Sequence, residues 1–112
     1  MPEQPSIPVI VKLKIREPKV RERDIESKVR KYARDMGFLV YKFTDPTQAG
    51  VPDRIFISPQ GRLFFVEFKA PGKKPRANQI AEFKRLQAHG QYVYIIDDLE
   101  RGKRLIDSYA QT

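Results

Sequence analysis

Apolar residues along this chain switch between two spacings, and the switch points divide it into strands and helices. Between Ile7 and Ile15 (IPVIVKLKI) they take every odd position, with Lys12 and Lys14 between them. This predicts a half-exposed strand, at a sheet edge or between two copies of the chain, limited by Pro8 and by Pro18 beyond it. Residues 1–6 are expected to be disordered. From Ile25 the spacing becomes helical: Ile25, Val29, Tyr32, Ala33 and Met36 share a face, with Asp24 as the expected N-cap and Gly37 as the stop. Phe38 to Phe43 is aromatic and β-branched, which predicts a strand, and Thr44 to Pro52 reads as a loop.

The next two apolar runs, Ile55–Ile57 and Leu63–Phe68, flank Ser58-Pro59-Gln60-Gly61 and predict a β-hairpin. A three-residue loop with Gly61 in the left-handed position pairs Ser58 with Arg62. That register sets Asp53 opposite Glu67, on one face, and strand alternation adds Lys69 to it. Beyond the break at Ala70-Pro71-Gly72, a helix is expected from about Arg76 to His89, with Pro75 in its first turn and Ala77, Ile80, Phe83 and Leu86 on its buried side. The apolar run Gln91–Ile96 suits a central or parallel strand reached by a helix crossover. Asp97-Asp98 can cap a last helix through Leu99, Leu105 and Ile106, in which Gly102 is a weak point. The pattern is that of an α/β domain, with the order helix, three strands, helix, strand at its centre.

At 112 residues the chain is one domain. No apolar run approaches the roughly 20 residues that cross a bilayer. Nothing near the N-terminus has the layout of a secretory leader, so a cytoplasmic location is expected. Cysteine is absent, which excludes disulfides and thiolate metal sites. A formal net charge of +8 favours a polyanionic partner. Lys73, Lys74 and Arg76 cluster just after the acidic hairpin, where a phosphate backbone would lie if the acids hold a metal. Lys28, Arg30, Lys31 and Arg34, on the far side of the first helix, read as a solvated surface.

Opposed carboxylates repel, and burying them without a counter-charge costs several kcal/mol. Two arrangements relieve Asp53 and Glu67. A divalent cation can sit between them, and an oxygen-only site without histidine or cysteine suits Mg2+ or Mn2+ rather than zinc. Alternatively, Lys69 neutralises one acid and solvent the other. Glu26, at the margin of the first helix's apolar arc, either reaches over the sheet edge or complements the helix dipole. Gln79 projects into an apolar arc, where it needs hydrogen-bond partners, from a loop carbonyl or from a ligand network.

Pro52-Asp53 followed by Glu67-Phe68-Lys69 is the PD-(D/E)xK pattern. The wider strings GVPDRIFI and FFVEFKAPGKKPRANQ resemble the VRR-NUC family of that nuclease superfamily, over about residues 24–97. The resemblance implies a restriction-endonuclease-like αβββαβ core with a mixed central sheet flanked by helices, over residues 23–112, preceded by an arm at 1–22 with a possible extra strand. It also implies phosphodiester hydrolysis with Mg2+, for which Mn2+ can substitute. Asp53, Glu67, the Phe68 carbonyl and Glu26, directly or through water, would hold the metal, which acts as Lewis acid and activator of water. Lys69 would orient the attacking water or stabilise developing charge, Gln79 would orient Lys69 or a bound water, and Lys73, Lys74 and Arg76 would meet phosphates. Freestanding relatives of this size imply a homodimer cutting branched DNA such as four-way junctions, in a bacterial cell or phage-infected host. The alternatives are a non-catalytic basic DNA-binding module, or a nuclease acting on flaps, linear duplex or RNA.

Overall fold

Helix α1 (Glu22–Asp35) buries Ile25, Val29 and Ala33 at four-residue steps, the stripe a 3.6-residue period produces. It begins earlier than the sequence pattern indicates, and Asp24 is not its N-cap. Arg21, in extended backbone, holds that position and its carbonyl accepts from the amides of Asp24 and Ile25. Arg21 offers no side-chain cap, but Glu22 and Asp24 both lie in the first turn, where negative charge is favoured by the exposed amides. Gly37 ends the helix with φ +91°, as expected of a residue past a C-cap.

The computed structural model describes residues 20–111; the strand expected over 7–15 and the disorder expected over 1–6 lie outside the described residues. Four strands follow α1 into one sheet of order β1-β2-β3-β4: β1 (Leu39–Lys42), β2 (Arg54–Ile57), β3 (Leu63–Phe68) and β4 (Val93–Ile96). The first three are antiparallel and β4 runs parallel to β3. Helix α2 (Ala77–Ala88) makes the crossover that a parallel pair requires, and α3 (Leu99–Ala110) ends the described chain.

One face of the sheet, carrying Val40, Phe56, Phe64, Val66, Phe68 and Ile96, packs against Ile25, Val29 and Ala33 of α1 and Ile106 and Tyr109 of α3. Phe56 and Phe64 stack at 5.3 Å and Phe64 and Tyr109 at 4.1 Å. Burying each large apolar side chain here stabilises the fold by roughly 1.5–3 kcal/mol. Gly102 fits this packing: a Cβ on it would lie 2.7 Å from a Val29 methyl. What the sequence presents as a weak point in α3 is where two helices touch. The cap is as read, with the Asp98 carboxylate accepting from the Arg101 amide at 2.9 Å.

Two expectations fail on the other side of the sheet. Ala77 and Ile80 of α2 are exposed, Ile80 at 41%, whereas Phe83 and Gln79 are buried as expected and Glu82 is buried beside them. Polar partners on the sheet set its rotation, and an apolar pattern does not register those. Pro75 precedes the N-cap, Arg76, and lies outside the first turn. The run Gln91–Ile96 supplies the parallel strand, but β4 forms an edge among the described residues, with Tyr92 55% and Ile95 40% exposed. No helix among the described residues is long and apolar enough to cross a membrane.

Candidate active site

The hairpin turn sets the register of the site. Gly61 has φ +90° and donates its amide to the Ser58 carbonyl at 2.8 Å, while the Ser58 amide donates to the Arg62 carbonyl at 2.9 Å. From there β2 and β3 pair through Phe56 with Phe64 to Arg54 with Val66. The next pair in that register is Asp53 and Glu67, with side chains on the face opposite Phe56 and Phe64. The Phe68 amide donates to the Asp53 carboxylate at 3.0 Å, and the Phe68 ring is fully buried in the core.

Lys69 continues β3, its amide donating to the Ile96 carbonyl of β4 at 2.9 Å. Its ammonium lies 3.1 Å from Glu67 Oε2 and donates to Gln79 Oε1 at 3.0 Å. The Gln79 side chain completes a triangle by donating from Nε2 to Glu67 Oε2, also at 3.0 Å. Its Oε1 accepts in addition from the Arg76 amide at 2.9 Å, so the same oxygen satisfies one of the free amides at the start of α2. The structure therefore brings Asp53, Glu67, Lys69 and Gln79 together, with Glu67 3% and Lys69 9% exposed.

These contacts leave particular atoms open. Glu67 Oε1 is buried and has no hydrogen-bond partner. An ionised oxygen out of water without a partner is costly, and a cation offsets that cost. Among the described residues no three histidine, cysteine or acidic side chains form a ready-made metal cage. Two carboxylates with no histidine or cysteine ligand beside them fit Mg2+, which is bound by one or two carboxylates and keeps several waters. Burial, then the negative charge of Asp53, raises the pKa of Glu67, against the opposing pull of Lys69 and Gln79. Burial also raises that of Asp53, despite the Phe68 amide that favours its charged form.

Glu26 lies at this end of the sheet, and its carboxylate is taken by the Arg54 guanidinium in a largely buried ion pair. One turn earlier on α1, Glu22 lines a cleft of about 200 Å³ together with Glu26, Lys42, Phe43, Thr44, Asp53 and Arg54. Burial and the charge of Asp53 raise the pKa of Glu22. Sequence reading misses both Glu22 and Arg54. The signal for Glu22 is its four-residue spacing from Glu26, which puts the two acids on one helix face. Arg54 alternates to the face opposite Asp53, toward α1.

Lys73, Lys74 and Arg76 are exposed on the connection between β3 and α2. The connection is folded by a bond from the Lys73 amide to the Ala70 carbonyl at 3.0 Å and from the Gly72 amide to Asp97 at 3.1 Å. The charge of Lys73 slightly lowers the pKa of Glu22, against the larger effect of burial.

No family model matches the chain. A protein of Acyrthosiphon pisum secondary endosymbiont phage 1, named "Putative nuclease p44", is 44% identical over 78 residues, which are 70% of this chain and 84% of that protein. A solved structure described as a VRR_NUC domain superposes with a TM-score of 0.72 at 28% identity, covering 79% of this chain and 96% of its own. A second, described as a VRR_NUC domain protein, gives 0.66 at 14% identity over 84% of this chain and 91% of its own, a likeness of fold. With the acids, lysine and glutamine in the arrangement above, the chain belongs to the VRR-NUC family of nucleases.

Proposed function

We propose that this nuclease is a divalent-metal-dependent DNA endonuclease that acts as a homodimer on branched DNA such as four-way junctions. The observation that carries the metal dependence is the buried, unpartnered Glu67 Oε1 across the hairpin from Asp53. Glu67 and Asp53 would hold Mg2+, or Mn2+ in its place, with the Phe68 carbonyl. Glu22 and Glu26 would reach it from α1, directly or through water, Glu26 once it leaves Arg54. When bound, the cation supplies Lewis-acid activation of the phosphodiester and of water.

The remaining groups prepare the reaction. Lys69 has three N–H donors and spends two on Glu67 and Gln79, which leaves one for an attacking water or for charge developing on the phosphate. Gln79 fixes that direction by holding Lys69 and Glu67 from one amide. Lys73, Lys74 and Arg76 would offset backbone phosphates. A two-fold dimer would present two equivalent sites, which suits paired cuts across a symmetric junction.

A cleavage panel of four-way junction, flap, linear duplex and RNA, with Mg2+ and with EDTA, tests this reading. Junction cleavage is expected to dominate and to stop in EDTA. Preferred cutting of flaps, linear duplex or RNA would overturn the substrate assignment. Binding without cleavage in any metal would make the chain a DNA-binding module. Lys69→Ala is expected to lower turnover at least a hundredfold while leaving junction affinity within about threefold, as befits a group acting on the transition state.

A further inference from the structure

Gly50 lies in the loop that carries the chain from β1 to Asp53, with φ +90°. An L-residue's Cβ built there would stand 2.6 Å from the Asn78 carbonyl oxygen, 2.9 Å from its carbonyl carbon and 3.2 Å from the Gln79 Cα. All three are backbone atoms of the first turn of α2, so no side-chain rotation can relieve the overlap. The loop backbone rests directly on the helix, one residue before Gln79 and three before Asp53. Gly61 provides the contrast: its φ is also +90°, yet a Cβ on it would meet nothing within 4 Å.

We propose that Gly50 is a positioning residue for the reaction, a spacer that sets how closely α2 approaches the sheet so that Gln79 reaches Lys69 and Glu67 together. Restoring an ordinary 3.4 Å contact from 2.6 Å would move the helix turn by about 0.8 Å. The two bonds of Gln79 to Lys69 and Glu67 are each 3.0 Å long, and a shift of that size directed away from the sheet would take them beyond useful hydrogen-bond range. A displacement of about 1 Å in a catalytic constellation can cost roughly a hundredfold in rate.

The inference rests on the nuclease reading, and a double-mutant cycle tests it. Single-turnover rates on the DNA that the wild type cuts are compared for Gly50→Asn, Gln79→Ala and the pair. Asparagine tolerates positive φ better than alanine, so folding is retained while the overlap remains. The expected result is a loss of about ten- to a hundredfold for Gly50→Asn, unchanged DNA affinity, and a double variant no slower than Gln79→Ala. Gly61→Ala, which carries the conformational strain without the overlap, keeps the wild-type rate. A wild-type rate for Gly50→Asn, or losses that multiply in the pair, would overturn the proposal. The side-chain amide resonance of Gln79 gives a readout apart from activity. It should shift in Gly50→Asn and stay in place in Gly61→Ala, and an unmoved resonance in Gly50→Asn would also overturn the proposal. If the wild type cuts nothing, the nuclease reading fails and this spectroscopic arm still decides the role of Gly50.

Discussion

Burial holds the carboxyls of Asp53 and Glu67 above their usual pKa, helped by the charge of Glu26 at Asp53 and of Asp53 at Glu67, and that leaves a signature in stability. A carboxyl whose folded pKa exceeds its unfolded value stabilises the protein below the unfolded pKa. That contribution is lost as pH rises through the folded pKa. In EDTA these groups therefore disfavour the folded state at neutral pH. Asp53→Asn is expected to melt several degrees above the wild type there, with the gap closing as pH falls through the carboxyl range. Mg2+ should raise the wild-type midpoint far more than that of the variant. Thermal melts in EDTA and Mg2+ at several pH values check both, and a variant no more stable than the wild type in EDTA would contradict the role of burial. The relation between Asp53, Glu67 and Lys69 was legible in the sequence because a two-residue side-chain period and a three-residue turn fix which residues share a face. The pairing of Glu26 with Arg54 was not legible, because it depends on the angle at which α1 crosses the sheet.

Among elements, the contact between α1 and α3 shows packing outweighing propensity. Glycine to alanine in a helix interior gains up to about 1 kcal/mol, whereas overfilling a packed core costs about 1–3 kcal/mol. At Gly102 the new methyl would meet a fully buried Val29 at 2.7 Å and Ile96 at 3.2 Å, so the second effect wins. Gly102→Ala is expected to destabilise the protein by about 1 kcal/mol, read as a lower urea midpoint. The connection between β3 and α2 makes a different prediction: replacing both Lys73 and Lys74 by alanine should weaken DNA binding without regard to sequence. It should also flatten the logarithmic salt dependence by about two. Element order and type were readable because α1, β3 and the hairpin have clear periods. The rotation of α2 was only half legible: the inward turn of Gln79 and the burial of Phe83 followed from helical spacing, but the burial of Glu82 and the exposure of Ala77 and Ile80 depend on polar partners that no apolar count reveals.

At the scale of the whole molecule, a net charge of +8 on 112 residues suits a polyanionic partner, and its effect on association should fade with salt. The proposed homodimer predicts a sedimenting mass of twice 13.1 kDa. It also predicts that a mixed dimer with one Lys69→Ala subunit nicks a junction on one strand only. Paired cuts from such a mixed dimer would mean that the sites do not act one per strand. The sheet topology followed from general connection rules, with hairpin neighbours side by side and a helix between parallel strands. The exposure of Ile80, Tyr92 and Ile95 did not follow from those rules.

The exposed tip of the hairpin, Pro59–Gly61, lies at the opposite end of the six-residue β3 from Lys69, roughly 26 Å away at about 3.3 Å per residue. Open space surrounds Gly61 there. A guest domain grafted at that apex would ride clear of the chemistry while sharing a rigid ribbon with it. The hairpin thus offers a mounting point at which the cutter can be given an address of the experimenter's choosing.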